Sequence, residues 1–360
     1  MSARTFLLMA GGTGGHVYPA LATARALQHY GDSVVWMGSK NGMEEDIVSA
    51  AGIPFNGLSI KGLRGKGKLS FALAPFRLLF SLVQALKVMR RVNPDCVLGM
   101  GGFASGPGGV AARLLGKPLV IHEQNSIAGM TNRWLSRIAS RVLEAFPHAF
   151  PVAVETQLTG NPLREEISRM YYEPKRVVES GRVMRILVLG GSLGAARLNE
   201  SVPLAIASLD QRVMPEVWHQ TGKNKHAQAQ ASYQREGVRA KVTEFIDDMS
   251  EAYRWADFVI CRAGALTVSE LCAVGLGGIL VPYPYAVDDH QTLNAKTMES
   301  AGAAWILQQR DLDPGTLADI LAPLLTKPER IQKLSDAAKK LGKPDATELV
   351  ASACRRECHA

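Results

Sequence analysis

Apolar runs of four or five residues recur along the chain, and glycine-rich turns follow several of them. Phe6–Met9, Val34–Met37, Pro54–Leu58, Asp95–Gly99 and Leu119–His122 read as strands, with helices predicted over Ala20–Gln28 and Met43–Ala51. Pro19 then falls in the first turn of the leading helix, and Gly31 lies just past its end. Strand-helix alternation of this kind implies a parallel sheet. The pattern restarts in the second half. Arg185–Ala196, RILVLGGSLGAA, repeats the opening order of apolar strand, paired glycines, hydroxyl residue and helix, with Ser192 standing where Thr13 stood. Asp95-Cys-Val-Leu-Gly is likewise echoed by Asp257-Phe-Val-Ile-Cys, and an apolar strand follows each. The expected fold is α/β, with two Rossmann-like domains facing each other across a cleft: residues 1–163, then 164–340, and a final helix over about 341–360 returning to the first domain.

The turns carry the chemistry. At Gly11, Gly12, Gly14 and Gly15 no side chain keeps a phosphate or sugar from the backbone N–H groups, and the next helix points its positive end there. His16, at the mouth of that turn, is the candidate general base; the plainer alternative is a tight turn that the histidine caps. The second strand ends VVWMGSK, without the acidic residue that an NAD site uses to hold ribose. In HEQN, Asn125 offers an amide suited to sugar hydroxyls, whereas His122 and Glu123 read as a structural pair. GNPLR at 160–164 reads as an interdomain crossing that brings Arg164 to the cleft. CRAGALTVSE at 261–270 is the most specific stretch: small residues turn the chain, and Glu270 can accept both hydroxyls of a ribose or serve as a helix-dipole partner. His290 and Gln291 add polar contacts, and Asp288 and Asp289 read as helix caps rather than metal ligands.

Composition narrows the partners. A charge of +8 and a pI of about 9.3 favour an anionic partner, but no zinc-finger spacing is present and aromatic residues make up only 6%, against nucleic acid. Cys96, Cys261 and Cys272 sit in or beside apolar runs as buried thiols suited to a reducing cytoplasm, and Cys354, Cys358 and His359 are an incomplete zinc set. The apolar run before the first glycines is too short for a signal peptide. Lys61–Arg91 breaks the rhythm: a basic loop, KGLRGKGK, precedes an apolar helical stretch that includes Phe71, Leu73, Phe76, Leu79 and Phe80. Pro75, Arg77, Gln84 and Lys87 make it a poor membrane span. An amphipathic helix packed on the sheet and a face dipping into an anionic bilayer both fit.

The ordered set GGTGGHVYPA at 11, GMGGFASGP at 99, HEQN at 122, GNPLR at 160, GGSLGA at 190, EFIDDM at 244, CRAGALTVSE at 261 and DDHQTLNA at 288 resembles the MurG family of bacterial transferases over nearly the whole chain. The resemblance implies a GT-B fold and the donor UDP-N-acetylglucosamine. The implied acceptor is lipid I, the undecaprenyl-pyrophosphoryl-MurNAc-pentapeptide, and inversion would give the β-1,4 linkage of lipid II in peptidoglycan synthesis. It further implies no cofactor, no tightly bound metal, and peripheral attachment to the anionic cytoplasmic face of the bacterial inner membrane; the protein's own membrane face, read from the apolar-basic stretch, would be the one carrying Phe71, Phe76, Leu79 and Phe80. Carried across by motif, His16 matches the proposed base; Thr13, Gly14, Gly15 and Asn125 would face the sugar; Arg164 and Ser192 would lie near the diphosphate. Ile246 would present its backbone to uracil, Ala265, Leu266, Thr267, Val268, Ser269 and Glu270 would hold nucleotide and sugar, and Gln291 would bind the sugar. Phe103 departs from the family, whose members often carry tyrosine there. The alternatives are another GT-B enzyme such as a UDP-N-acetylglucosamine epimerase, a nicotinamide oxidoreductase, and a non-catalytic nucleotide-binding protein at the membrane.

Overall fold

The computed structural model describes residues 3–60, 74–174, 177–178, 181–191 and 194–358. Ser192, Phe71, Leu73, His359 and the basic loop 61–68 lie outside the described residues. Seven strands form one parallel sheet: β1 (Thr5–Met9), β2 (Ser33–Ser39), β3 (Phe55–Leu58), β4 (Cys96–Gly99), β5 (Leu119–Glu123), β6 (Arg141–Glu144) and β7 (Gln157–Leu158). Their order is β3-β2-β1-β4-β5-β6-β7. A second parallel sheet contains β8 (Arg185–Leu189), β9 (Glu216–Gln220), β10 (Ala240–Thr243), β11 (Phe258–Cys261), β12 (Gly278–Leu280) and β13 (Ala304–Ile306), in the order β10-β9-β8-β11-β12-β13. The expected pair of Rossmann-like α/β domains is thus present.

In each sheet the leading strand is central, with its successor on one side and a later strand on the other. At this reversal successive helices leave to opposite faces, opening a crevice at the carboxyl ends of the strands. Register sets the consequence: Met9 pairs with both Met37 and Gly99, so the loops after β1 and β4 start at the same level. Leu189 pairs with Gln220 and Cys261 in the same way.

Alternation along β1 explains why the first sheet is covered twice. Phe6 and Leu8 enter one buried apolar cluster, Leu7 and Met9 the other. The first cluster includes Val350, Ala351, Ala353 and Cys354 from the helix Ala346–Glu357, which packs against the helix Gly14–His29. Thr347 bonds both the N–H and the carbonyl of Leu163 (3.1 and 3.0 Å), and Glu357 pairs with Arg141 at 2.7 Å. Met1–Arg164 and Asp345–Ala360 accordingly form one compact unit and Glu165–Pro344 another.

The first helix starts at Gly14, six residues before the expected Ala20, and contains Pro19. The proline suggested a first turn, but the chain accepts it deeper in the helix so that the helical N–H groups begin inside the glycine turn. His16 therefore sits in the first helical turn. Further along, the helix Ala74–Val92 runs unbroken through Arg77, Gln84 and Lys87. Ser81, Ala85 and Met89 form its buried stripe, and Gln84 accepts the Ser59 N–H at 2.8 Å.

Candidate functional site

On the first unit the site grows from the ends of β1 and β4. Gly12 has φ +86°, and Thr13 is the extended N-cap residue of Gly14–His29. His16 is half-buried, with Nδ1 3.1 Å from the Gly11 carbonyl. A carbonyl only accepts, so in the neutral ring this contact places the proton on Nδ1 and leaves Nε2 a lone pair. That is the form of imidazole able to take a proton from a hydroxyl.

The loop after β4 closes over this one backbone to backbone. A Cβ at Gly101 would lie 3.1 Å from His16 Nε2, and one at Gly102 only 2.6 Å from the Gly11 oxygen. Both glycines have positive φ, +92° and +88°. The Ser105 hydroxyl, within bonding distance of the Met9 and Gly101 carbonyls (3.1 and 2.7 Å), ties this loop to β1. Phe103 on the same loop is exposed.

At the end of β5, His122 is fully buried and both its ring nitrogens are engaged. Gln124 Nε2 approaches Nδ1 and the Gly160 carbonyl faces Nε2, each at 3.0 Å, and burial pushes the imidazole down to about 4. The buried Glu123 carboxylate accepts from Asn125 N and Nδ2, Gly129 N and Asn132 Nδ2. Both residues hold the loop, as the sequence suggests, and Asn125 is set by Glu123. Asn161 donates to the Gln124 carbonyl at 3.0 Å, so GNPLR, ending in the half-buried Arg164, is anchored on HEQN.

On the second unit, Gln220 braces the loop after β8: its Oε1 accepts Gly191 N–H at 3.1 Å, and its Nε2 lies 3.0 Å from the carbonyls of Gly191 and Glu244. The segment carrying buried Ile246 is thereby linked to the glycine loop. After β11, Gly264 N-caps the helix Ala265–Val274, and Asn294 donates to the Ala263 carbonyl at 3.2 Å. Ala265 and Val268 of this helix are buried, whereas Leu266, Thr267 and Ser269 are half-buried. Glu270 is buried and accepts the Tyr253 hydroxyl at 2.7 Å, so its carboxylate is oriented by a phenol, not held only by the helix dipole. Gln291 Oε1 accepts Tyr283 N–H at 2.9 Å and fixes the loop before it. Asp289 stands at the N-cap position of the helix His290–Ser300 but, against the expectation of a cap, its carboxylate accepts the Thr292 hydroxyl at 2.7 Å and no backbone N–H of that helix. Among the described residues no three His, Cys, Asp or Glu side chains gather as metal ligands.

Two residues escape the sequence reading. Glu44 is buried against the first glycine turn, but in sequence it is one of three acids in a helix's first turn, where a dipole partner is the ordinary inference. Tyr253 is likewise unremarkable until the fold brings it to Glu270.

Away from these loops, Phe76, Leu79 and Phe80 are 71, 60 and 57% exposed. No helix among the described residues is long and apolar enough to cross a membrane.

Residues 6–144 match the Glycosyltransferase family 28 N-terminal domain, and 185–350 the Glycosyltransferase family 28 C-terminal domain. A Marinobacter nauticus protein named UDP-N-acetylglucosamine–N-acetylmuramyl-(pentapeptide) pyrophosphoryl-undecaprenol N-acetylglucosamine transferase is 55% identical over 351 residues, 98% of this chain and 97% of the relative. A Hahella chejuensis protein of the same name is 52% identical over 358 residues, 99% of each chain. The crystal structure of Acinetobacter baumannii MurG is 38% identical with a TM-score of 0.83, covering 98% of this chain and 99% of that one.

The buried histidines give stability a pH dependence. Burial pushes His122 to about 4 and His219 to about 3, below the roughly 6.5 of an unfolded imidazole. Their contribution is complete above pH 6.5 and is lost as pH falls toward the folded values, because the unfolded chain then binds more protons. The urea midpoint should drop between pH 6.5 and 5. His122→Asn should be less stable at pH 7.5 yet lose less across that interval, and an unaltered slope would count against this origin.

Proposed function

The chain belongs to the MurG family within glycosyltransferase family 28, and from that premise we propose that it transfers N-acetylglucosamine from UDP-N-acetylglucosamine to lipid I. The acceptor is the C4 hydroxyl of the muramyl sugar, and the products are UDP and β-1,4-linked lipid II. The observation that supports this most is 55% identity to a transferase of that name along nearly the full length of both chains. An epimerase is not favoured by relatives of this kind.

In this reading Met1–Arg164 with Asp345–Ala360 serves the acceptor and Glu165–Pro344 the nucleotide sugar. The acceptor oxygen attacks C1 of the donor sugar as the bond from C1 to the UDP oxygen breaks, and His16 Nε2 takes the acceptor proton. Negative charge gathers on the departing diphosphate. The positive end of the helix Ala265–Val274 suits that charge without needing to reorganise. Arg164 and Ser192 are assigned to the diphosphate, Ile246 to uracil, Glu270 to ribose, and Thr13, Gly14, Gly15, Asn125 and Gln291 to the sugar. Phe76, Leu79 and Phe80 are assigned to peripheral contact with the anionic cytoplasmic face of the inner membrane, where a lipid-linked acceptor resides.

Labelled UDP-N-acetylglucosamine with a short-chain lipid I analogue should yield labelled disaccharide-lipid; free UDP without that product would overturn the reading. His16→Ala should lower kcat about 100- to 10,000-fold with little change in UDP affinity, and near-normal kcat would assign the base elsewhere.

Glu270→Ala should weaken UDP binding by about tenfold or more, because hydrogen bonds to a charged group contribute roughly 1.5–3 kcal/mol. Calorimetry giving the wild-type affinity would remove Glu270 from the ribose.

Sedimentation with anionic vesicles should show binding that weakens with salt and with the double substitution Phe76→Ser, Leu79→Ser. Equal binding by that variant would free this face of a lipid role.

A further inference from the structure

Glu44 is only 1% exposed, and a carboxylate is rarely so buried unless its oxygens are bonded. Both oxygens accept from the main chain: Oε1 from Ser39 N–H at 2.8 Å and Oε2 from Gly12 N–H at 3.3 Å. The approach needs glycine on both sides. A Cβ at Gly11 would lie 2.2 Å from Oε1, and one at Gly42 2.5 Å from Oε2.

The Gly12 N–H and the Gly11 carbonyl are the two ends of one planar peptide. Glu44 holds the first end; His16 Nδ1 lies 3.1 Å from the second. The chain carboxylate, peptide, imidazole has the polarity of a carboxylate bonded directly to an imidazole N–H, with an amide interposed. Because glycine stands on both sides of that peptide, no side chain fixes its plane, and a flip would turn the carbonyl away from the histidine. Beside the packing of Gly102 on Gly11, the hydrogen-bond partners of the peptide then bear on which ring nitrogen of His16 carries the proton.

We propose that Glu44 is a positioning residue for the general base, holding the Gly11–Gly12 peptide so that His16 keeps its proton on Nδ1 and presents Nε2 to the acceptor hydroxyl. The inference rests on the reading of His16 as base. The competing account is that Glu44 merely staples the turn after β2 through Ser39.

The test uses the full chain labelled with [15N]histidine, His16 being assigned by its absence in His16→Ala. The wild type should show the Nδ1–H tautomer at pH 7.5. Glu44→Gln, which puts a donor against one of the two N–H groups, should shift His16 toward the Nε2–H tautomer and lower kcat about tenfold with little change in donor KM. In the His16→Ala background the same substitution should cost no further kcat. A wild-type Nε2–H tautomer would overturn the proposal, as would a folded Glu44→Gln protein with the wild-type tautomer and kcat. Should Glu44→Gln not fold, Glu44→Asp, which keeps the charge but withdraws it from Gly12, faces the same measurements. Normal kcat in His16→Ala would instead remove the base assignment, leaving the tautomer experiment to decide the role of Glu44.

Discussion

The contact between the loops after β1 and β4 is made where no side chain can exist. Gly102 faces the Gly11 peptide so closely that even one methyl group would meet backbone, and backbone cannot rotate aside as a flexible side chain can. Much of the first unit's site follows from this. The parallel register levels the ends of β1 and β4, Ser105 ties the second loop to the first strand, and the glycines let the loops touch. His16 then has a defined environment although it lies on a turn. Precision comes from the scaffold under the loop, not from the loop's own sequence.

The second unit solves the same problem with a side chain. Gly194 again needs its glycine, since a Cβ would lie 2.1 Å from the Thr221 carbonyl, but the link between neighbouring loops is the Gln220 amide. Behind it is a buried set in which His219 contacts the Tyr233 hydroxyl (2.8 Å) and the Asn199 amide oxygen (3.0 Å), while Asn199 donates to Thr221 (3.1 Å). Such a network is worth burying only when its members are satisfied together. It fixes the start of the helix Ala196–Ala207 against β9, and with it the frame of the glycine loop.

How much was legible in the sequence depended on whether a signal was local. The strands show as apolar runs because parallel strands are buried on both faces, and the second domain shows as a repeat because the same turn chemistry recurs. His122 and Glu123 could be read as structural, being adjacent at a strand end. The start of the first helix was misread because Pro19 obeys a rule for first turns, and the need of the glycine turn for helical N–H groups outweighed it. Glu44 and Tyr253 were invisible for a different reason. The partners that set them apart, Gly12 and Glu270, lie 32 and 17 residues away, and only the fold brings them near.

The helix Ala346–Glu357 belongs to the first unit although the whole second unit precedes it in the chain. That arrangement imposes a timetable on a polypeptide made from its amino terminus. Glu165–Pro344, 180 residues, takes roughly 10–40 s to synthesise at about 5–20 residues per second. Throughout that interval the apolar face carrying Leu98 of β4 and Val120 of β5 lacks the helix that brings Val350, Ala351 and Cys354 to the same cluster. The first half of the protein is thus born with an open flank, and its completion waits on the synthesis of the second.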